Sequence, residues 1–155
     1  MEAFARWAGI RLPQARTTFD ELAPSLVPVR TPIGKAWVLA LDEESLRAGG
    51  EPPDPTTVRL LPSGDALWLL YDDERALLVP DPDLRARLWT SRVWPGALLL
   101  GGDIAGTWRR AGTRLSIEPW RDLTPAEREA VEAEAAALPL PDEGAITVRW
   151  PDRWS

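Results

Sequence analysis

The sequence predicts an α+β chain in two parts: a small unit of short helices with one hairpin, then an antiparallel β domain closed by a single helix. Three observations carry this expectation. Between Phe4 and Leu39, apolar residues recur at helical spacing and then give way to two strand-like runs joined by a Thr-Pro-Ile-Gly turn. Residues 49–57 form a Pro- and Gly-rich linker, the best boundary in the chain. Beyond it, three strand-like runs are separated by glycine turns and followed by a capped helix. The expected domains are 1–48 and 58–155, on either side of the linker.

Phe4 and Trp7 lie three apart, as on one face of a short helix, and Gly9 ends it. Pro13 opens a second helix, where its missing N–H costs nothing. Ala15, Phe19 and Leu22 follow at i, i+4 and i+7, a single stripe expected to be buried, and Pro24 stops the helix. Residues 26–30 and 35–39 read as strands around a turn at 31–34, with Gly34 supplying the awkward dihedral. Asp42 is placed to cap a short helix running to Arg47. This order of helix, turn, helix, hairpin and helix matches the winged helix-turn-helix arrangement.

In the second part, residues 58–61 read as a strand and 82–88 as a short helix. Residues 66–71 are an apolar run whose state periodicity does not decide. Residues 96–100, 103–110 and 114–120 read as an antiparallel meander with turns at Gly101-Gly102 and 111–113. Thr124, Pro125 and Glu127 form the signature of a capped helix start. Val131, Ala135 and Leu138 give that helix its apolar stripe, and residues 145–150 read as a last strand.

Composition bounds the chemistry. With 155 residues, the chain is long enough to bury roughly 70% of its unfolded surface without a covalent staple. It has no Cys and no His, which excludes disulfide frameworks, thiolate metal sites, Ser-His-Asp triads and His-based phosphotransfer. No run of 18 apolar residues exists, and the N-terminus lacks a basic segment followed by an apolar one. The expectation is a cytoplasmic protein with no membrane partner and no cofactor. The net charge is −6 from 18 basic and 24 acidic residues, which argues against indiscriminate nucleic-acid binding. The distribution is uneven, however. Residues 1–39 carry five basic and three acidic groups, and residues 91–121 carry five and two. Each segment is a candidate local anion-binding surface on an acidic chain.

Leu60-Leu-Pro-x-x-Asp65, Gly106-Thr-Trp-Arg-Arg110, Glu118-Pro-Trp120 and the acidic helix that ends in a strand resemble one protein group. These are the bacterial winged-helix DNA-binding proteins that include the DNA-crosslink-repair glycosylases. Phe4-Ala-Arg-Trp-Ala-Gly9 resembles the third winged-helix unit of that group. The resemblance covers nearly the whole chain, but only the C-terminal portion of a typical member. It implies a winged-helix unit followed by a β-barrel-like domain, and duplex DNA as partner. It also implies that further N-terminal winged-helix units accompany this portion, and a role related to DNA repair. Glycosylase members use a Gln-x-Gln catalytic motif in their N-terminal part. This chain has a single Gln, Gln14, so no catalytic residue is assigned to it. Gly64 also stands where the family usually has an aromatic residue.

The candidate DNA contacts fall in three places. Gln14, Arg16, Thr17 and Thr18 occupy the outward face of the second helix, where a recognition helix meets base edges and phosphates. Asp20 and Glu21 on the same helix favour a merely solvated face. Arg30 and Lys35 flank the hairpin turn as on a wing that contacts phosphate. Arg109, Arg110 and Arg114 flank a second turn and converge on one end of a hairpin. Trp108, among these arginines, suits core burial better than stacking on a base. Weak, salt-dependent duplex binding is expected from these groups. The acidic runs 72–74 and 81–83 are expected to be solvated loops, not a metal site. The competing reading is a protein-interaction or structural domain, served by the acidic helix and the nine tryptophans.

Overall fold

A computed structural model describes residues 1–50, 54–139 and 144–151. Part of the expected linker (51–53) and the last four residues of the expected second domain therefore lie outside the described residues. The chain is a mixed α+β protein, with six α-helices and two sheets among the described residues. The described residues form two compact units. One comprises residues 1–50 and 69–77, the other residues 54–68, 78–139 and 144–151.

In the first unit, helix α1 (Glu2–Ala8) ends at Gly9, which adopts φ +65°. The N–H of Ile10 then reaches back to the Ala5 carbonyl at 3.0 Å, closing the helix end. Helix α2 (Leu12–Leu22) follows at once, with Pro13 in its first turn. Strands β1 (Leu26–Thr31) and β2 (Gly34–Leu39) form the expected hairpin, with Arg30 directly opposite Lys35. A half-exposed chain of aromatic rings links the elements of this unit. The Phe4 ring lies 6.2 Å from Trp7 and 5.4 Å from Phe19, and Phe19 lies 5.5 Å from Trp37. The buried stripe of α2 thus ends at Phe19. Leu22, expected to complete it, sits in the last turn, where 42% of it stays exposed.

Two further expectations give way to the structure. Asp42 precedes helix α3 (Glu43–Ala48) but makes no side-chain cap. The preceding turn, Ala40–Asp42, is already helical, so Asp42 lacks the extended backbone that aims a capping carboxylate at the helix start. The acidic run 72–74, expected as a loop, opens helix α4 (Asp72–Leu78). Its carboxylates lie at the positive end of the helix dipole, and Glu74 accepts a hydrogen bond from the Tyr71 N–H at 2.9 Å.

Among the described residues, the second unit is built on a five-stranded sheet in the order β3-β4-β5-β6-β7. Its strands are β3 (Val58–Leu61), β4 (Gly96–Leu100), β5 (Asp103–Ala111), β6 (Arg114–Pro119) and β7 (Thr147–Arg149). The meander β4-β5-β6 is antiparallel, as expected. Strand β7 runs parallel to β6, because helix α6 (Pro125–Ala136) carries the chain across the sheet before it re-enters. The barrel-like expectation is corrected as well. Among the described residues the sheet is open, with β3 and β7 at its edges. Helix α6 covers the β3 edge: Glu134 accepts from the Leu60 N–H at 3.4 Å, where a closing strand would otherwise pair.

Helix α6 starts as the sequence predicts. Thr124 accepts from the Glu127 N–H, and Glu127 accepts from the Thr124 N–H. Its Val131 and Ala135 pack on one face of the sheet with Val58, Leu60, Leu98, Leu100, Trp108, Leu115 and Ile117. The Trp108 ring lies over Gly96, and its Nε1 donates to the Leu61 carbonyl at 2.9 Å. A Cβ on Gly96 would meet that ring at 2.1 Å, so only glycine fits there. The opposite face is partly covered by Trp68, Val79 and Leu88, with Trp89 and Trp94 packed around them. Helix α5 (Pro82–Leu88) supplies Leu88, and Asp81 caps it by accepting from the Asp83 N–H.

Candidate nucleic-acid interface

The first-unit candidates divide between α2 and the β1–β2 hairpin. On α2, Gln14 Oε1 accepts from the Arg11 N–H at 3.0 Å, so its carbonyl serves the helix start. The Thr17 and Thr18 hydroxyls donate to the carbonyls of Pro13 and Gln14, one turn back. These three side chains are exposed or half-exposed, but part of their hydrogen-bonding capacity is spent locally. Arg16 is exposed and makes no ion pair among the described residues. On the hairpin, Arg30 and Lys35 are cross-strand partners, so both cations rise from the same face. Like charges directly opposite one another destabilise a hairpin. Among the described residues, no carboxylate relieves this pair.

In the second unit, the register decides which arginines act together. Arg109 is opposite Ser116, Arg110 opposite Leu115, and Ala111 opposite Arg114. Side chains alternate across a strand, so Arg109 and Arg114 share one face, and Arg110 projects from the other with buried Leu115. The hairpin end is therefore basic on both sides. The Arg109 guanidinium donates to the Val93 carbonyl at 3.0 Å, and Arg110 to the Gly112 carbonyl at 2.9 Å. Trp108 is 9% exposed and belongs to the core, as its alternation predicts.

Sequence reasoning misses one residue. Strand β7 pairs Arg149 with Ser116 and Thr147 with Arg114. Arg149 therefore lies on the face that carries Arg109 and Arg114. The alternation of Ile146, Val148 and Trp150 with Thr147 and Arg149 is visible in the sequence, but the strand that β7 joins is not. Arg87 of α5 lies 3.6 Å from Glu118, a carboxylate on the same face.

Other features narrow the chemistry. A cleft of about 210 Å³ in the first unit is lined by Phe4, Trp7, Leu69, Leu70, Tyr71 and Glu74. The Arg6 and Arg75 guanidinium groups each lie 5.3 Å from the Tyr71 ring, so the ring is already engaged by cations. Among the described residues, no three of His, Cys, Asp and Glu are arranged to hold a metal ion. None of the described helices is long and apolar enough to cross a membrane.

The family model described as DNA glycosylase AlkZ-like matches residues 2–139. The chain belongs to this AlkZ-like family. Among solved structures, the DNA glycosylase AlkZ of Streptomyces sahachiroi shares its fold, with a TM-score of 0.70 over 96% of the chain and 24% identity. The AlkZ-like chain spans 40% of the length of that structure. No curated protein matches the chain.

Proposed function

We propose that this AlkZ-like chain is a DNA-positioning portion of a repair protein, which holds duplex DNA through its cations and carries no catalytic group of its own. The observation that carries the reading is a set of exposed cations at the candidate positions that meet no carboxylate among the described residues. Arg6, Arg47, Arg59, Arg87 and Arg121 each lie within 3.6 Å of a carboxylate. Arg16, Arg30, Lys35, Arg109 and Arg114 meet none among the described residues. Acidic residues outnumber basic ones, so the unpaired cations are not explained by a shortage of acids. Phosphate groups would relieve the repulsion between them.

In this reading the first unit is a winged helix-turn-helix. Helix α2 presents Gln14, Arg16, Thr17 and Thr18 to a groove, and the β1–β2 hairpin is the wing with Arg30 and Lys35. The second unit adds Arg109, Arg110 and Arg114. The linker 49–57 divides residues 1–48 from 58–155 as two domains. Further winged-helix units, as the family resemblance implies, supply the base-excision chemistry, and the place of work is the cytoplasm.

A second reading has its own observation. Trp7, Trp37, Leu41 and Leu46 of the first unit are all more than 40% exposed, a surface that suits a protein partner. Fluorescence anisotropy with duplex DNA at about 20 and 200 mM salt separates the two. Positioning through about four phosphate contacts predicts an affinity loss on the order of a thousandfold between these salts. It also predicts loss of binding when Arg30, Lys35, Arg109, Arg110 and Arg114 are replaced together by Ala. Absence of binding at 20 mM salt overturns the DNA reading and leaves the protein-partner surface.

A further inference from the structure

Arg109 and Arg114 share one face of the sheet, and Arg110 lies on the other. On the α6 side of the sheet, Ile146, Val148 and Trp150 of the last strand segment join the core. The residues between them, Thr147 and Arg149, therefore face away from α6. Register then builds two rows across three strands on that outer face. One row is Arg109, Ser116 and Arg149; the next is Ala111, Arg114 and Thr147. Neighbouring strands lie about 4.8 Å apart, so the Arg109 and Arg149 backbones are about 10 Å apart with Ser116 between them. Arg114 sits one pleat repeat further along, about 7 Å away.

Burial shows that this part of the face is open. The tryptophan cluster covers the outer face at Ala97, and Thr107 beside it is buried. Past Thr107 the cover stops. Arg109, Arg114, Thr147 and Arg149 are exposed, and Ser116 is half-exposed. Glu118, the acidic residue of this outer face in β6, is matched by Arg87 at 3.6 Å. The backbone positions of three arginines thus stand within about one Debye length of one another on an otherwise acidic protein.

We infer that this open face of β5, β6 and β7 is a binding surface for the phosphate backbone of duplex DNA, in which Arg149 acts together with Arg109 and Arg114. The inference rests on the DNA-positioning reading above and assigns its second-unit contact to a face instead of a hairpin tip. The residue types favour nucleic acid over an acidic protein. The rows offer guanidinium and hydroxyl donors and no large apolar side chain. Backbone recognition needs donors of this kind, whereas a protein interface is anchored by buried aromatic or aliphatic groups. Arg109 keeps this capacity despite its bond to Val93, since a guanidinium carries five N–H donors. Arg110 adds charge from the other side of the sheet and is a secondary contributor.

The test uses the whole chain, a short fluorescein-labelled duplex and single substitutions. Arg149→Ala and Arg114→Ala each weaken binding about fivefold at low salt and lower the salt slope by about one. Arg149→Lys restores most of the loss, because charge and reach are retained. Arg128→Ala is the control. It removes the same charge from α6, on the opposite side of the sheet, where Arg128 lies 4.7 Å from the Trp150 ring. Its binding stays within twofold of the parent chain. If Arg110→Ala weakens binding as much as Arg114→Ala while Arg149→Ala does not, contact is through the hairpin tip. The face is then overturned and the DNA-positioning reading survives. If Arg128→Ala costs as much as Arg149→Ala, only net charge matters and the face is again overturned. If the parent chain captures an acidic polypeptide but not the duplex, both readings fall.

Discussion

Trp68 and Trp108 in the second unit are 1% and 9% exposed, and each ring nitrogen donates to a backbone carbonyl. Trp7 and Trp37 in the first unit keep 45% and 43% of their surface exposed. The same residue type thus does different work in the two units. In the second, a sheet with helical cover on one face and a tryptophan cluster on part of the other offers interior space for large rings. In the first, short helices and one two-stranded hairpin offer little. Among the described residues, its buried ones are Ala5 and Ala15, and its rings meet edge to face at the margin of the structure. A unit that buries two alanines gains little from apolar burial, whereas one that buries Leu88, Leu98, Leu115, Ile117 and Val131 gains much. Stability is therefore concentrated in the second unit, and the first keeps both its cations and its apolar side chains at the surface.

Core truncation should give the largest contrast. Leu115→Ala, at a fully buried site, should cost about 3 kcal/mol in urea unfolding. Phe19→Ala, at a half-buried ring, should cost about 1–2 kcal/mol. Equal losses would break the comparison. Next comes Gly96→Ala, whose new methyl group collides with the Trp108 ring and the Leu61 carbonyl. About 2 kcal/mol of destabilisation is expected, together with a change in the Trp108 contribution to near-UV circular dichroism.

Helix ends should sharpen the contrast by not following it, because capping is local. Thr124→Ala removes a capping bond in the second unit, and Gly9→Ala places a side chain at φ +65° in the first. Each should cost about 1 kcal/mol wherever the host unit stands in stability. The smallest effect is acidic. The Arg121 guanidinium and the Thr124 N–H hold the Glu127 carboxyl down at about 2, from an ordinary value near 4.5. A depressed carboxyl stabilises the fold fully above its unfolded value, and this contribution fades as pH falls from about 4.5 toward 2. Glu127→Gln should flatten that part of the stability profile; an unchanged profile would show that the pair contributes nothing to acid sensitivity.

Much of the fold is legible because its signals are local. Gly9, Gly34 and the Thr124–Glu127 box each specify a backbone event within a few residues, and each event occurs. The meander is legible for the same reason. What escapes the sequence depends on distant partners. Whether the sheet closes depends on α6 lying against the β3 edge, and the direction of β7 depends on the route of α6 across the sheet. The run 72–74 is ambiguous because acidic residues suit a solvated loop and a helix start equally well. The candidate interface divides in the same way. The cations of each hairpin are visible, being neighbours in sequence. Their distribution between two faces needs the register, and Arg149 reaches the site only through a strand on the far side of α6.

The most direct test of the central claim is the slope of log affinity against log salt for duplex DNA, in the parent chain and in Arg109→Ala/Arg149→Ala. Removing one arginine–phosphate interaction should reduce the slope by about 0.9, so the double variant should bind with a slope smaller by about two. Equal slopes in the two proteins, or a parent slope near zero, would contradict the account.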